Sequence, residues 1–382
     1  MLLLLCAKDA EAYTWMVRHG YTSCAPCHQD PTGGGILTAY GRSVGSLVLN
    51  TRYGDQTEEA DPTGEFLLGA VTLPPEIMLG GDARLLWLAN KFEDTAVRRY
   101  LFAMQADAEA AFYVGPVLGS GSIGYAEDGA YSATLTRAPE KNLVSRVHWL
   151  GVSLDDETGL LVRAGRMHLP FGIRNVEHTL WARAETQTTV NEHQQHGLAL
   201  AWAPDPFRGE LMAILGNYQI RPDVYRERGY SAYLEYWPLP TLGVGASSLI
   251  THRKLDPVYL RETWRHAHGL FARWATPWHP LVVLAELDYT ERSPKSDMKR
   301  KGTVGFVQAD IEPLQGVHFM LTGEMRHVGV HGTPFSWAAW FSQAWFVAPH
   351  LDFRIDNIYQ SLGDSSGHTD VFMLLAQAHL YL

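Results

Sequence analysis

The chain has 382 residues with a formal net charge of −10, and 46% of them are hydrophobic while 19% are charged. A helical membrane protein would be more apolar than a mean hydropathy of −0.13, and no stretch has the 18 uninterrupted apolar residues of a helical span. The acidic balance argues against a nucleic-acid partner, which would favour a basic face. The 12 Trp, 17 Tyr and 14 Phe suit a transmembrane barrel, where apolar and polar residues alternate and aromatics gather at both interfaces.

In chain order, the first element is a short apolar run. Met1 to Ala12 reads as the remnant of a secretory signal peptide, with Ala10-Glu11-Ala12 as a small-x-small cleavage site. A lipoprotein site at Cys6 and a disordered cytoplasmic N-terminus are the competing readings, and Leu5 is too large for the residue that usually precedes a lipidated cysteine.

Residues 13–75 carry the chemistry. Cys24-Ala-Pro-Cys27-His28 is C-x-x-C-H, the attachment sequence of a c-type haem. Two thiols three positions apart can both reach the haem vinyl groups, and the adjacent imidazole can then lie under the iron. By chance this pattern arises from three cysteines roughly once in a thousand chains. A disulfide, a thioredoxin-like site and half of a zinc site are the competing readings; a thioredoxin-like site would need a βαβ context, and a zinc site would need two further ligands at short spacing. The expectation is one covalently attached haem c, with Cys24, Cys27 and His28 as the cofactor-binding residues and His28 as the axial iron ligand. The second axial ligand is open: Met16 and His19 lie just upstream, Met167, His168, His193 and His196 lie far downstream, and a five-coordinate iron is the alternative. The glycines of Gln29-Asp-Pro-Thr-Gly-Gly-Gly35 suit a tight wrap. Residues 36–49 read as a short helix weakened by Gly41 and Gly45. About 60 residues are few for a self-sufficient core, so this segment needs other walls, and a barrel lumen could supply them.

From residue 80 to 382 the pattern is period two. Phe102, Met104, Ala106, Ala108, Ala110 and Phe112 share one predicted face, with Gln105, Asp107 and Glu109 on the other. Sixteen strands are predicted, near 80–91, 98–112, 117–128, 144–155, 159–168, 196–204, 209–218, 228–237, 242–253, 265–275, 281–292, 302–312, 316–328, 336–347, 351–361 and 370–382. Tight Pro-rich turns such as Pro204-Asp-Pro206 and Pro277-Trp-His-Pro280 alternate with longer polar loops, of which 169–195 is the longest and holds His178 and His193. Outer-membrane barrels alternate short periplasmic turns with long external loops. A soluble sandwich or propeller is the competing fold, but sixteen strands without a repeated signature fit neither well. The predicted lumen holds Asp107, Glu109, Arg273, Glu286, Asp288, Asp310, His318, Glu324, Arg326, Asp352, Arg354 and Asp356, and Trp149, Trp202, Trp237, Trp274 and Trp278 are predicted to form a girdle near the short turns.

The two halves together resemble the fused monohaem cytochrome–porins of bacterial outer membranes, which include iron oxidases. Cys24 to His28 matches their haem motif. Leu37-Thr-Ala-Tyr40-Gly41-Arg42 is similar to their Leu-x-x-aromatic-Gly-Arg stretch, and Ala164-Gly-Arg-Met-His-Leu-Pro-Phe-Gly172 is similar to a strand-to-loop motif of phosphate-selective-type porins. Gly33-Gly34-Gly35 departs from the iron-oxidase pattern. The fold expected is all-β: an antiparallel transmembrane β-barrel of about sixteen strands in the bacterial outer membrane, with a small plug-like c-type haem segment loaded in the periplasm. The resemblance implies electron transfer between an extracellular metal or redox donor, ferrous iron among them, and a periplasmic c-type cytochrome or other carrier, with the lipid bilayer as surroundings. On that footing the chain would act as an extracellular Fe(II) oxidoreductase. The alternatives are a porin whose haem-bearing segment serves as plug or sensor, and a soluble periplasmic haem sensor.

Overall fold

The structure is a computed structural model that describes residues 13–51, 62–93, 95–126, 142–175, 177, 179–190, 192–278, 280–330, 333–364 and 367–382. The signal-peptide reading and Cys6 lie outside the described residues, as does His178.

Period-two sequence produces strands, and here they close on themselves. The strands are β1 (Ile77–Phe92), β2 (Arg98–Val114), β3 (Val117–Ala126), β4 (Asn142–Val144), β5 (His148–Asp155), β6 (Leu160–Met167), β7 (Gln195–Trp202), β8 (Phe207–Gly216) and β9 (Arg228–Leu239). They continue as β10 (Leu242–Arg253), β11 (Thr263–Ala275), β12 (Leu281–Pro294), β13 (Arg300–Leu314), β14 (Val317–Gly329), β15 (Ser336–Ala348), β16 (Leu351–Asp364) and β17 (Gly367–Tyr381). Neighbours in sequence pair antiparallel except β4 and β5, and β1 pairs with β17 from Asp82↔Tyr381 to Phe92↔Val371. Closure satisfies the backbone groups that an open edge would leave bare in lipid.

The described residues make sixteen barrel positions, because β4 and β5 share one. Both pair with β3. The continuous strand predicted over 144–155 is broken where Ser145, Arg146 and Val147 leave the ladder. Ser122 holds the break: its backbone N–H donates to the Val147 carbonyl (2.8 Å), and its hydroxyl accepts from the backbone N–H groups of Arg146 and Val147 (3.1 Å each). The bulge turns Arg146 inward onto Asp107.

A second bulge corrects the predicted faces of β2. The β1 partner steps from Gln105 to Ala103 between Arg84 and Leu85, so Met104 is an extra residue. Beyond it Phe102 pairs with buried Leu86, and Met104 lines an inner cavity. Met104 therefore belongs to the lumen side, while Ala106, Ala108 and Ala110 stay outside.

Alternation is clearest on β11. Arg265, Ala267, Phe271, Arg273 and Ala275 are buried, whereas Trp264, Leu270 and Trp274 face out. The two tryptophans are ten residues apart on a tilted strand, roughly 24 Å of height, which matches the apolar band of a barrel. Trp202, Trp274 and Trp278 are exposed near the short turns, as a girdle requires. Trp149 and Trp237 are not in it: both are buried, with the guanidinium groups of Arg163 and Arg273 over their rings at 5.0 and 4.9 Å.

The charged residues expected in the lumen are there, and they are covered from both ends. The loop between β6 and β7 folds inward with a short helix, α1 (Trp181–Thr186). It reaches the far wall: the Ile173 N–H donates to Glu286 on β12 (2.6 Å), the Trp181 N–H donates to Glu324 on β14 (2.6 Å), and Glu177 pairs with Arg354 on β16 (2.7 Å). From the short-turn end, the Arg18 guanidinium donates to Glu312 and to the Pro280 carbonyl (2.7 Å each). Gln315 donates to the carbonyls of Leu47 and Asn50, and the Thr51 N–H donates to the Phe346 carbonyl. The N-terminal segment thus borrows its walls from the barrel, with Trp15, Met16 and Val17 in one apolar cluster with Phe271, Leu284 and Phe346.

Leu270 lies near mid-height on the outer face. Leu270→Arg is expected to destabilise the barrel by about 2–4 kcal/mol, the range for a cation at the bilayer midplane. Denaturant titration from lipid vesicles measures this, and an unchanged midpoint would show that the face does not meet hydrocarbon.

Candidate functional site

The C-x-x-C-H residues form one backbone turn. The N–H groups of Cys27 and His28 both donate to the Cys24 carbonyl (3.2 and 3.0 Å). The following stretch folds back over it: the Gln29 N–H donates to Ile36, the Thr38 N–H donates to the Cys27 carbonyl, and the Thr38 hydroxyl donates to the Pro26 carbonyl. Thr38 then caps a helix over Ala39–Val44 by accepting from the Gly41 N–H at 3.0 Å. The helix runs into a π-turn over Gly45–Leu49, so the predicted helix at 36–49 is present in two pieces. Gly41 is there for space: a β-carbon on it would lie 2.3 Å from the Cys27 carbonyl oxygen. The Arg42 guanidinium donates to the Leu79 carbonyl on β1. The Leu37-x-x-Tyr40-Gly41-Arg42 stretch is therefore the clasp that binds the cysteine turn to a helix and the helix to the barrel.

His28 is buried, its Nδ1 lies 3.3 Å from the Gly35 carbonyl, and its Nε2 is buried with no hydrogen-bond partner among the described residues. Burial lowers its pKa to about 4, so the ring is neutral at ordinary pH. A neutral imidazole oriented through Nδ1 with Nε2 left over is the arrangement of a metal ligand. Asp30, two residues on, is also buried. Burial opposes its ionisation, but the Arg163 guanidinium at 2.8 Å holds its pKa below the usual carboxylate range.

His28 opens on a cavity of about 190 Å³, with Gly33 to Gly35, Arg42, Arg84, Arg146, His168 and Arg174 among its walls. Cys24 opens on a smaller cavity of about 60 Å³, and Thr32 and Arg174 line both. Cys27 is fully buried between the turn and Gly41. His28 Nε2 and the Cys24 thiol offer donor atoms for a c-type haem, each on its own cavity, and Cys27 lines neither. Arg174 adds a guanidinium Nη1 that is buried without a partner among the described residues and suits an acidic porphyrin edge. No group of three or more His, Cys, Asp or Glu placed to hold a metal ion occurs among the described residues.

The other predicted ligands are dispersed. Met16 is fully buried in the apolar cluster and lines neither cavity. His19 Nε2 lies 3.2 Å from Glu312, away from His28. Neither lines the cavity on which His28 opens. Met167 is buried in a separate apolar cluster, and His196 Nε2 lies 3.1 Å from His148. His193 sits in the inward loop, with its Nδ1 accepting from the backbone N–H and hydroxyl of Thr189 (3.2 and 2.8 Å). Only His168 of the downstream candidates joins His28, and it belongs to the 164–172 stretch, where the chain leaves β6 and descends into the lumen. Arg174 and Arg146 carried no signal of their own, since each depends on a loop or bulge that the alternation does not encode.

No family model matches the chain, and no curated protein matches it. Solved structures do. OmpT of Vibrio cholerae, an outer-membrane protein, superposes with a TM-score of 0.60 over 82% of this chain and all of its own, at 10% identity. The outer-membrane channel DcaP of Acinetobacter baumannii gives 0.56 over 80% and 97%, at 10% identity. An anion-selective porin from Comamonas acidovorans gives 0.57 over 80% and 99%, also at 10%. At these identities the likeness is one of fold. Joined to the apolar outer face and the aromatic girdle, it makes the chain a porin-type barrel of the bacterial outer membrane, with the bilayer around it.

Loop docking is pH-dependent through His193. Burial, then the nearby Arg265, depresses its pKa from 6.5 to about 3. An undocked loop takes up a proton near pH 6.5, and the docked loop does so only near pH 3. The undocked state therefore holds the extra proton between these values. Docking is at full strength above pH 6.5 and weakens as pH falls toward 3, by about 1.4 kcal/mol per unit. Limited proteolysis within residues 179–193 is expected to be faster at pH 4 than at pH 7, and His193→Gln to lessen the difference. Equal rates for the wild-type protein at both pH values would contradict this.

Proposed function

We propose that the chain is an outer-membrane electron-transfer protein: one c-type haem, attached through Cys24 and Cys27 with His28 on its iron, held inside a closed barrel. It would exchange electrons with an extracellular donor or acceptor, ferrous iron among them, and with a periplasmic c-type cytochrome or other carrier. The observation that carries this reading is the buried His28 with its Nε2 unpartnered among the described residues on a lumen cavity, next in sequence to Cys27. The haem would supply one-electron exchange. The chain's part is to hold and insulate it. Gly35 orients the imidazole, Asp30 and Arg163 pin the turn to the wall, and the β6–β7 loop keeps bulk water off the cavity from the other side. A single haem does not cross roughly 30 Å of hydrocarbon, so a partner on one face would have to approach the barrel mouth closely.

The comparisons favour a second reading, a solute channel. DcaP is described as a channel and the Comamonas protein as an anion-selective porin. On that reading the N-terminal segment is a plug or sensor. Against free diffusion stands a lumen with packed material at both ends, anchored by Arg18–Glu312 at one and Glu177–Arg354 at the other.

The two readings part in proteoliposomes that enclose a reduced or oxidised c-type cytochrome, with Fe(II) or Fe(III) chelates outside, alongside planar-bilayer conductance. The electron-transfer reading expects small conductance, transmembrane oxidation or reduction of the enclosed carrier, loss of that transfer in Cys24→Ser/Cys27→Ser, and a large conductance gain when residues 13–51 are deleted. An ohmic pore in the wild-type protein, unchanged by His28→Ala and without electron transfer, would establish the channel reading instead.

A further inference from the structure

We infer that His168 is the second protein ligand of a haem held by His28, and that Gly34 is glycine to admit its imidazole. The inference rests on the haem reading above and concerns the opposite axial position, which the sequence leaves open.

Three observations carry it. His168 is buried, and its Nδ1 is shut off from water with no hydrogen-bond partner among the described residues. An imidazole left this way in a protein interior is unfavourable unless something else binds it. The other lumen histidines differ: His193 is bonded by Thr189, and His379 has Asp352 at 2.7 Å on one nitrogen and Asp82 at 3.2 Å on the other.

His28 and His168 also open on the same cavity and rest on the same turn. Gly35 accepts from or faces the His28 Nδ1 through its carbonyl. Its neighbour Gly34 lies against His168, where a β-carbon would come to 2.9 Å from Nε2 and 3.1 Å from Cδ2.

The triple glycine then divides into two causes. Gly33 and Gly35 have φ of +86° and +73°, a left-handed backbone that side chains disfavour. Gly34 has no such backbone requirement, so the reason for it is room for His168. The segment that departs from the iron-oxidase pattern is thus the one against which the His168 imidazole packs.

His350 is the nearest rival. It lines the cavity and has a buried Nδ1 without a partner, but its Nε2 lies 3.1 Å from the Glu65 carbonyl and its ring packs on Tyr381, away from the glycine turn.

The test uses full-length protein expressed with haem-maturation machinery and purified in detergent. Haem content is read by the pyridine haemochrome assay, and axial ligation of the ferric state by electron paramagnetic resonance and absorption. The wild-type protein is expected to be low-spin with two imidazoles. His168→Ala is expected to keep its haem, to become high-spin, and to return to low-spin on addition of free imidazole. Gly34→Ala is expected to give a mixture of the two spin states, and His350→Ala to leave the wild-type spectrum. Should His168→Ala not fold, His168→Met serves: it is expected to exchange the bis-imidazole signature for that of a thioether ligand. A high-spin wild-type protein overturns the inference, as does a low-spin bis-imidazole spectrum that survives either substitution of His168, and the haem reading stands in both cases. Wild-type protein that carries no haem overturns the haem reading itself.

Discussion

A guanidinium shut off from water holds this molecule's two parts together. Arg163 on β6 has no exposed surface, lies over the Trp149 ring, and sits between Asp30 of the N-terminal segment at 2.8 Å and Glu210 of β8 at 2.5 Å. Removing one partner from a buried ion pair costs about 3–5 kcal/mol, because the charge left behind has no water. Arg163 therefore needs the segment, and the segment has no core of its own without the barrel. Asp30 also begins the turn that carries Gly34 and Gly35, so the placement of His28 and His168 depends on this contact. Trp149 is drawn out of the lipid-facing girdle for the same reason: its ring covers the buried cation.

The same logic governs the rest of the lumen. A closed barrel has no bare backbone edges, but its inner wall is charged, and that wall must be wet or paired. Here much of it is paired with material brought in from both ends. Arg183 of the inward loop meets Glu286, and Arg265 meets Glu227 at 2.7 Å on the wall beside it. Arg18 meets Glu312 from the other end. This distinguishes the chain from a barrel built only for diffusion, although the wall itself has the porin form. The exterior asks nothing unusual of the sequence, since outward residues such as Leu234, Leu270 and Leu321 are apolar and exposed.

Most of the barrel was legible in the sequence because its signal is local. Alternation and turn residues fix which face each side chain takes, and the strand at 242–253 falls on its predicted bounds. What was not legible depends on register between strands. The extra Met104 on β2 and the excursion at Ser145–Val147 break a simple alternation without any marker in composition. Trp149 and Trp237 read as girdle residues by position, yet face inward by parity, each beneath an arginine. At the candidate site, C-x-x-C-H and the Leu37–Arg42 clasp were legible because their spacing is local. Met16 and His19, nearest in sequence to the motif, are turned to other partners. His168 lies 140 residues downstream of His28 and is brought to it by the β6–β7 loop, a long-range contact that no spacing rule encodes.

The haem proposed inside this barrel is covalent. Intact-mass spectrometry of the mature protein, taken from the outer membranes of cells with an active haem-maturation system, tests it most directly. The expected mass equals the processed polypeptide plus one haem, retained in acid and organic solvent and lost in Cys24→Ser/Cys27→Ser. A wild-type mass equal to the polypeptide alone, from cells in which a control c-type cytochrome is fully loaded, would contradict it.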